Sequence, residues 1–250
     1  MNGDEVLKTL KWIAIGIVLA CVTSIAVSGT LADDDADNKR LSIIHLELER
    51  YGNGLTEVIK GKDLLPVTDT LLNKDNVTLS QEFAMVDKNG NSSTFEVSFS
   101  EEMYTASNAL DHIVMVRNCG NVTGQVRTWF AFEMGDLTAE EFESAVVLNR
   151  NTDDWEWSNF EYGVLINGER YAVVRAELKV GLKAGEVTPP SLMQILLHSE
   201  VDSETAERLD GNYDLKYMIF SHSQAVSDKG AWGEIAKPWI AGQNNTYPPQ

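Results

Sequence analysis

The sequence is poor in cysteine and histidine, and this limits the chemistry that it can support. The cysteines are Cys21 and Cys119, and the histidines are His45, His112, His198 and His222. No two histidines have the i, i+4 spacing of a helical zinc site, and no HExxH, GxSxG, P-loop or GxGxxG motif occurs. Serines beside His198 and His222 are neighbours of a kind that is common by chance. We therefore predict no enzyme activity and no catalytic, cofactor-binding or metal-binding residues.

Positively charged residues are also scarce. Lysine and arginine total 20 against 38 aspartate and glutamate residues, so the formal net charge is −18 at pH 7. Nucleic acid and anionic lipid headgroups attract lysine and arginine, and are poor partners for such a chain. We expect no nucleic-acid ligand, and contact with a membrane only through an uncleaved signal segment.

One long apolar run occurs, at residues 12–27, between a slightly basic start and small residues that end at Ala32. This order is typical of a secretory signal, so we predict a signal peptide over residues 1–32, with cleavage between Ala32 and Asp33. A retained membrane anchor is the alternative. A helix over this run would span about 24 Å, whereas the hydrocarbon core of a bilayer is about 30 Å thick. The expected location of the protein is therefore extracellular or on the cell surface.

Signal cleavage leaves Cys119 as the single cysteine, so no internal disulfide can form. Its place at the end of a predicted strand favours a buried thiol. Val18-Leu19-Ala20-Cys21 is similar to a lipobox, so lipidation of Cys21 is a further alternative. The new N-terminus would begin with four aspartates within residues 33–37, which either bind calcium weakly through their carboxylates or form a solvated tail. No other cofactor is expected.

Period-two alternation dominates the rest of the chain and is typical of strands with one buried face. Residues 94–100 (TFEVSFS) and 170–180 (RYAVVRAELKV) show it most clearly, and Asn167-Gly168 is a hairpin signal. Further runs rich in β-branched or aromatic residues are 110–116, 125–132, 192–197 and 215–220. Short strands separated by turns predict an all-β sandwich or barrel, which we assign to residues 51–250.

Two short helices interrupt the strands. Thr138 and Glu141 have the spacing of a capping box, which predicts a helix from about residue 139 to residue 148. A second helix is predicted after Asp202, around residues 204–209. Both are expected to cover an open end of the sandwich.

The first strand of the mature chain follows the acidic leader directly. Residues 41–50 (LSIIHLELER) place Ile44, Leu46 and Leu48 on one face and charged residues or His45 on the other. A strand on such a tether can pair within its own sheet or add to the sheet of a neighbouring copy. We therefore treat residues 33–50 as a leader and candidate donor strand.

Two further features bear on a cell-surface role. Trp155 and Trp157 alternate as on one strand face, so they are either core residues or paired rings that stack on a sugar. Four sequons mark candidate glycosylation sites at Asn76, Asn91, Asn121 and Asn244.

Several of these segments resemble the TasA/camelysin family of exported proteins. Residues 28–32 (SGTLA) are similar to its Gly-Gly-Thr-x-Ala signal junction, and residues 116–122 (VRNCGNV) to its V-K-N-x-G strand and turn. Residues 182–192 (LKAGEVTPPSL) resemble its L-x-P-G-E-x-T-P-P-L-F segment, which is the most specific of these matches. Residues 224–226 and 230–232 are similar to its C-terminal A-V-Q and A-W elements. Residues 237–250 have no counterpart there.

The resemblance implies a jelly-roll-like subunit of an extracellular fibre, pilus or biofilm matrix. It implies that residues 33–50 are donated to the next copy, with Ile44, Leu46 and Leu48 inserted. The implied partners are further copies of the chain, other matrix or pilus subunits, and a signal peptidase. The family also carries a peptidase name, so a metallopeptidase-like or glycan-binding surface domain is the alternative function, although no zinc motif supports the peptidase.

Overall fold

A computed structural model describes residues 41–51, 54–56, 74–86, 92–104, 109–210 and 217–249. The predicted signal peptide, its cleavage site and the acidic leader lie outside these residues. Within the described part of the chain, no helix combines the length and apolar character needed to cross a bilayer.

The described residues form thirteen strands, two α-helices and one 3-10 helix, and every strand pairing is antiparallel. The strands are β1 Ile43–Tyr51, β2 Gly54–Thr56, β3 Lys74–Val86, β4 Ser92–Tyr104, β5 Leu110–Asp111, β6 Ile113–Asn118, β7 Gln125–Glu133, β8 Val146–Arg150, β9 Trp155–Trp157, β10 Glu161–Ile166, β11 Glu169–Leu178, β12 Leu192–Leu197 and β13 Ile219–Val226. The helices are α1 Ala139–Ala145, α2 Ser203–Leu209 and the 3-10 helix η1 Lys229–Glu234. The prediction of an all-β sandwich with short helices is confirmed.

The first layer, layer A, is assembled from two groups of strands, β2-β1-β6 and β5-β12-β8. His112 alone separates β5 from β6, and its backbone N–H donates to the Met193 carbonyl at 2.8 Å. The segment before β12 continues along β6, since the Thr188 N–H donates to the Val116 carbonyl at 2.9 Å. Layer A therefore has β8 at one edge, with β1 and the short β2 toward the other.

The second layer, layer B, has the order β10-β11-β7-β13, with β9 beside the far end of β11. The hairpin between β10 and β11 turns at Asn167 and Gly168, whose φ angles are 53° and 92°. Both angles are positive, as a two-residue type I′ hairpin requires, so the Asn-Gly prediction is confirmed.

The main core lies between the layers and follows the period of two. Val126, Phe130 and Phe132 of β7 and Ala172, Val174 and Ala176 of β11 meet Val114 and Val116 of β6 and Ile195 and Leu197 of β12. The alternation predicted in residues 170–180 is correct through Leu178, whereas Val180 lies beyond the strand and is 69% exposed.

The other face of layer B is also buried. Trp129, Tyr171, Val173 and Phe220 form a second apolar cluster with Trp239 and Tyr247. The last two rings belong to residues 229–249, which we call the C-terminal strap. The C-terminal strap therefore packs on the outer face of layer B through Trp239 and Tyr247.

Both helices begin as predicted, and one ends earlier. In α1 the Thr138 hydroxyl accepts from the Glu141 N–H at 3.3 Å, and the Glu141 carboxylate accepts from the Thr138 N–H at 2.7 Å. The expected end at residue 148 is wrong, because α1 stops at Ala145 and the next residues pair with β12 as β8. Helix α2 starts after its N-cap Asp202, as expected.

The structure also differs from the sequence predictions at one strand and at Cys119. The strand expected at residues 215–220 is observed as β13 Ile219–Val226, and residues 211–216 lie outside the described residues. The expectation of a buried Cys119 is wrong, because this thiol is exposed in the turn after β6. Partial desolvation raises the pKa of Cys119, and nearby Arg117 opposes that shift.

Candidate functional site

The candidate donor strand is paired within its own chain. β1 runs antiparallel to β6 from Ile43, opposite Asn118, to Leu48, opposite Ile113. β2 pairs only with Glu49, Arg50 and Tyr51, so no described strand covers the other edge of β1 between residues 43 and 48. β1 is therefore held on one side over most of its length.

The register decides which residues of β1 share a face with the core. His45 lies opposite Val116, and Glu47 lies opposite Val114, both of which belong to the main core. Ile44, Leu46 and Leu48 occupy the positions opposite Arg117, Met115 and Ile113, on the other face of layer A. In its own subunit, β1 thus places Ile43 and His45 on the side of the main core.

His45 links β1 to layer B. Its Nδ1 is hydrogen-bonded to the hydroxyl of Ser223 on β13. Ser223 is also hydrogen-bonded to the buried Thr128 hydroxyl on β7, with 2.8 Å between the two oxygens. This side of β1 is therefore held to the interior by the His45 hydrogen bond as well as by the apolar contact of the buried Ile43 with the main core.

The serine–histidine neighbours in the sequence do not form a common site. Ser223 contacts His45 instead of the adjacent His222, and the Glu200 N–H donates to Nδ1 of His198 at 3.4 Å. Burial lowers the pKa of His222 to about 4, with further contributions from His45 and Arg127. These histidines are built into strands and a strand end rather than gathered around an open pocket.

A concave surface lies along β8. This strand is paired with β12 on one side, and no described strand pairs with its other edge. Val146, Leu148 and Arg150, which alternate along β8, line a groove of about 450 Å³ between β8 and the start of β10. We call this surface the edge groove.

Aromatic rings form the opposite wall of the edge groove. Phe160 and Tyr162 are stacked with 5.6 Å between ring centroids, and Phe142 of α1 meets Phe160 edge-on at 5.9 Å. A β-bulge interrupts the pairing of β10 with β11 between Glu161 and Val164. Bulges disrupt the local ladder and bend the strand, which suits the opening of a groove at this point.

The charged residues Glu143 and Arg150 both line the groove, and their surroundings differ. The Tyr162 hydroxyl donates to the Glu143 carboxylate. Burial is the largest cause that raises the pKa of Tyr162, and the hydrogen bond to this carboxylate adds to the effect. Arg150 lies over the Trp157 ring, 5.4 Å from its centroid, and desolvation lowers the pKa of its guanidinium. Among the described residues, no carboxylate forms an ion pair with Arg150.

Of the two interpretations of Trp155 and Trp157, packing in the core is the one that the structure shows. Trp155 is 1% exposed and its indole N–H donates to the Pro189 carbonyl at 3.1 Å. Trp157 is half-buried and stacks on Phe130 with 5.4 Å between centroids. The aromatic surface that does face the groove comes from Phe160 and Tyr162, which the sequence did not single out. Their spacing of two residues at the start of a short strand was the available signal.

The structure places two of the four candidate glycosylation sites on the surface. Asn121 is exposed in the turn between β6 and β7, and Asn244 is exposed in the C-terminal strap. Asn76 lies in β3, where only its place in the strand is described, and Asn91 is outside the described residues. Acceptance of a glycan at any of these positions stays a prediction.

No group of three or more histidine, cysteine, aspartate or glutamate side chains is arranged to hold a metal within the described ranges. The acidic leader proposed to bind calcium lies outside them. Comparisons of the chain with protein-family models, with curated proteins and with solved structures found no match.

Proposed function

We propose that this chain is an exported structural subunit of an extracellular fibre, pilus or biofilm matrix, assembled by strand addition between copies. The observation that carries the proposal is the unpaired edge of β8, which runs beside a preformed groove. Residues 33–50 of a neighbouring copy are the proposed occupant of this edge. Their backbone would extend layer A, and their alternate side chains would enter the groove.

The order of strands in layer A favours growth from head to tail. β8 stands at one edge of the layer, and β1 lies toward the opposite edge. Contact between two different surfaces of the same molecule is heterologous, and such contacts generate open filaments when the rotation does not close a ring. A donor and an acceptor at opposite edges meet this requirement.

The donor and the groove also match in length and chemistry. The segment from Ile44 to Leu48 has five residues, as does β8. In the parent subunit its apolar trio occupies positions opposite Arg117, Met115 and Ile113, on the face of layer A that does not meet the main core. In a neighbouring edge groove the trio would meet Val146, Leu148 and the aromatic wall.

The resemblance noted in the sequence gives separate support. Its two central segments are neighbours in space, since the Asn118 N–H donates to the Glu186 carbonyl at 3.0 Å and the Gly185 N–H to the Asn118 carbonyl at 2.9 Å. These bonds hold β6, the strand on which β1 rests. A fibre subunit of the kind implied by the resemblance would use this same layer for assembly.

The test is filament formation by the purified protein, observed by negative-stain electron microscopy. Leu148→Lys places a charge in the edge groove and is expected to abolish filaments while the monomer stays folded. Val180→Lys, which charges an apolar residue that is 69% exposed and does not line the groove, is the matched control. Deletion of residues 33–50 is also expected to abolish filaments, but it removes most of β1 from the monomer's own sheet, so circular dichroism of the monomer must accompany it. Filaments of normal length from both altered proteins would refute the proposal.

Glycan binding in the edge groove is the second candidate. It is favoured by the stacked Phe160 and Tyr162, because aromatic faces stack on sugar rings, and by the cation of Arg150. Tyr162→Ala is expected to remove binding of an acidic oligosaccharide in a titration followed by NMR, and Trp157→Ala to act only through stability. Glycan binding without filaments would favour this alternative.

A further inference from the structure

The edge strands β8 and β10 differ in whether another segment lies along their free edge. At β8 no described strand or segment occupies the free edge. At β10 the C-terminal strap runs beside the edge, and a parallel bridge joins Ile166 to Asn245. An uncovered strand presents unpaired N–H and C=O groups that another chain can pair with. The strap therefore occupies an edge that would otherwise be competent for strand addition.

Asn245 makes the contact by imitating a neighbouring strand. Its backbone carbonyl accepts from the Asn167 N–H at 3.0 Å, and its side-chain amide donates to the Leu165 carbonyl at 2.8 Å. The same side chain accepts from the Ile240 N–H at 3.0 Å, which fixes the turn that presents it. In return, Asn167 Oδ1 accepts from the Tyr247 N–H at 3.0 Å.

The rest of the strap is anchored at both ends, so that Asn245 is held in place. Tyr247 stacks on Phe220 at 4.2 Å between centroids, and Trp239 is buried against the outer face of layer B. The Arg127 guanidinium lies 4.3 Å from the centroid of Trp232 and donates to the Ile235 carbonyl at 3.3 Å. These contacts lie on the outer face of layer B, which is separate from the main core between the layers.

We propose that the C-terminal strap is an edge guard that prevents copies of this chain from pairing through β10. The partner that the guarded surface would accept is the β10 edge of a second copy. This inference rests on the proposed function for its biological sense, because a subunit that adds strands at β8 must keep its other edges from competing. Its structural content, an edge closed by Asn245, can be tested in the monomer.

The experiment compares two opened variants with a matched control. Asn245→Ala removes the side-chain bonds to Leu165 and Ile240, and Asn245→Pro also removes the backbone N–H. Gln243→Ala truncates a similar, exposed side chain in the same turn, and this side chain makes no hydrogen bond to any residue that the structure describes. Amide exchange at Asn167 measures opening of the edge, and sedimentation velocity measures association.

We expect exchange at Asn167 to be about tenfold faster in the Asn245 variants, in keeping with the loss of one or two hydrogen bonds. We also expect concentration-dependent association that is absent in Gln243→Ala. Adding Leu165→Lys should suppress this association, because charged side chains blunt an exposed edge. Near-UV circular dichroism shows whether each variant is folded. Asn245→Ala keeps the Trp239 and Tyr247 contacts, so it is expected to stay folded even if Asn245→Pro does not.

Three results would refute the proposal that the C-terminal strap is an edge guard. They are faster exchange without association, unchanged exchange in both Asn245 variants, and association that Leu165→Lys does not reduce. Failure of the fibre proposal is a separate result, since it would appear as an unaltered chain that forms no filaments. The monomer measurements on the Asn245 variants would then still decide whether the strap closes β10.

Discussion

His222 sits in the middle of β13 with 3% of its surface exposed. Burial is the largest cause that lowers its pKa to about 4, and the neighbouring His45 and Arg127 add to the effect. The ordinary pKa of histidine is about 6.5. Between these two pKa values, the His222 imidazole is neutral in the folded chain, whereas in the unfolded chain it is protonated.

The first prediction follows from this difference. The stabilising effect of neutral His222 is fully present above about pH 6.5 and is lost as the pH falls toward about 4, because the unfolded state binds the proton first. The expected loss is up to about 3 kcal/mol of the free energy of unfolding. Urea unfolding at a series of pH values measures it.

The control for this prediction is a second histidine. His222→Asn should flatten the dependence between these pH values, whereas His198→Asn, at the end of β12, should leave it intact. An equally steep loss of stability in the His222→Asn protein would show that another group is responsible.

At the residue scale, the sequence identified chemical types but not neighbours. His45 and Ser223 are far apart in the chain, and only the approach of β1 to β13 brings them together. Nothing in the local pattern around either residue carries that information. The absence of short catalytic and metal motifs could be seen in the sequence, whereas the aromatic wall of the edge groove depended on how β10 packs against α1.

At the scale of elements, the two helices are held together by one ion pair. Arg208 of α2 donates from Nη1 and Nη2 to the two carboxylate oxygens of Glu141, at 2.8 and 2.9 Å. These bonds are the largest cause that lowers the pKa of Glu141 to about 2, followed by the bonds to Thr138. The same carboxylate therefore serves the capping box of α1 and the contact with α2.

The second prediction concerns this shared carboxylate. In Arg208→Ala the pKa of Glu141 should rise toward the ordinary value for glutamate, since its largest cause is removed, and Thr138 should still hold it somewhat low. Arg208→Lys should give an intermediate pKa, because an ammonium cannot form the paired bonds of a guanidinium. Carbon-13 NMR titration of the carboxylate measures the pKa directly. A value near 2 in Arg208→Ala would show that the capping box alone accounts for the shift.

Element starts were easier to predict than element ends. The capping box at Thr138 depends on two residues three apart, and the helix begins where that pair requires. Its end was misplaced because Val146, Val147 and Leu148 suit either a helical stripe or a strand. The decision belongs to β12, which is remote in sequence and supplies the pairing partners.

The same ambiguity applies to β1. Its alternation correctly indicated a strand, and it grouped Ile44, Leu46 and Leu48 on one face. Alternation alone does not say which face meets the core, since both faces of layer A include buried residues such as Val114 and Met115. A shift of one residue in register would exchange the two faces, and register is a property of the pairing with β6.

For the whole molecule, the charge of −18 is the dominant electrostatic feature. Self-repulsion between like charges disfavours a compact chain, and salt weakens it as the screening length falls from about 10 Å at 0.1 M to about 3 Å at 1 M. The third prediction is that the midpoint of thermal unfolding rises between 0.05 M and 1 M sodium chloride. Differential scanning calorimetry measures the midpoint.

The control for the salt effect is a second anion. Sodium perchlorate at matched ionic strength screens charge equally, so the two salts should agree in the lower part of the range. An unchanged or falling midpoint in both salts would show that charge repulsion does not limit the stability of the folded chain.

The largest feature that could not be predicted from sequence is the C-terminal strap. Residues 229–249 have few of the periodic signals by which strands and helices are recognised, and their role comes from a surface made by β7, β11 and β13. Both faces of layer B are buried for this reason. β7 accordingly shows eight buried residues in a row instead of an alternating pattern.

The position of β13 and the strap has a consequence for the order in which the chain acquires its structure. β7, the strand at the middle of layer B, pairs with β11 on one side, but its partner on the other side begins at Ile219. The outer face of the layer is covered by Trp239 and Tyr247, which are synthesised later still. A ribosome must therefore release residues 219–247 before layer B can close.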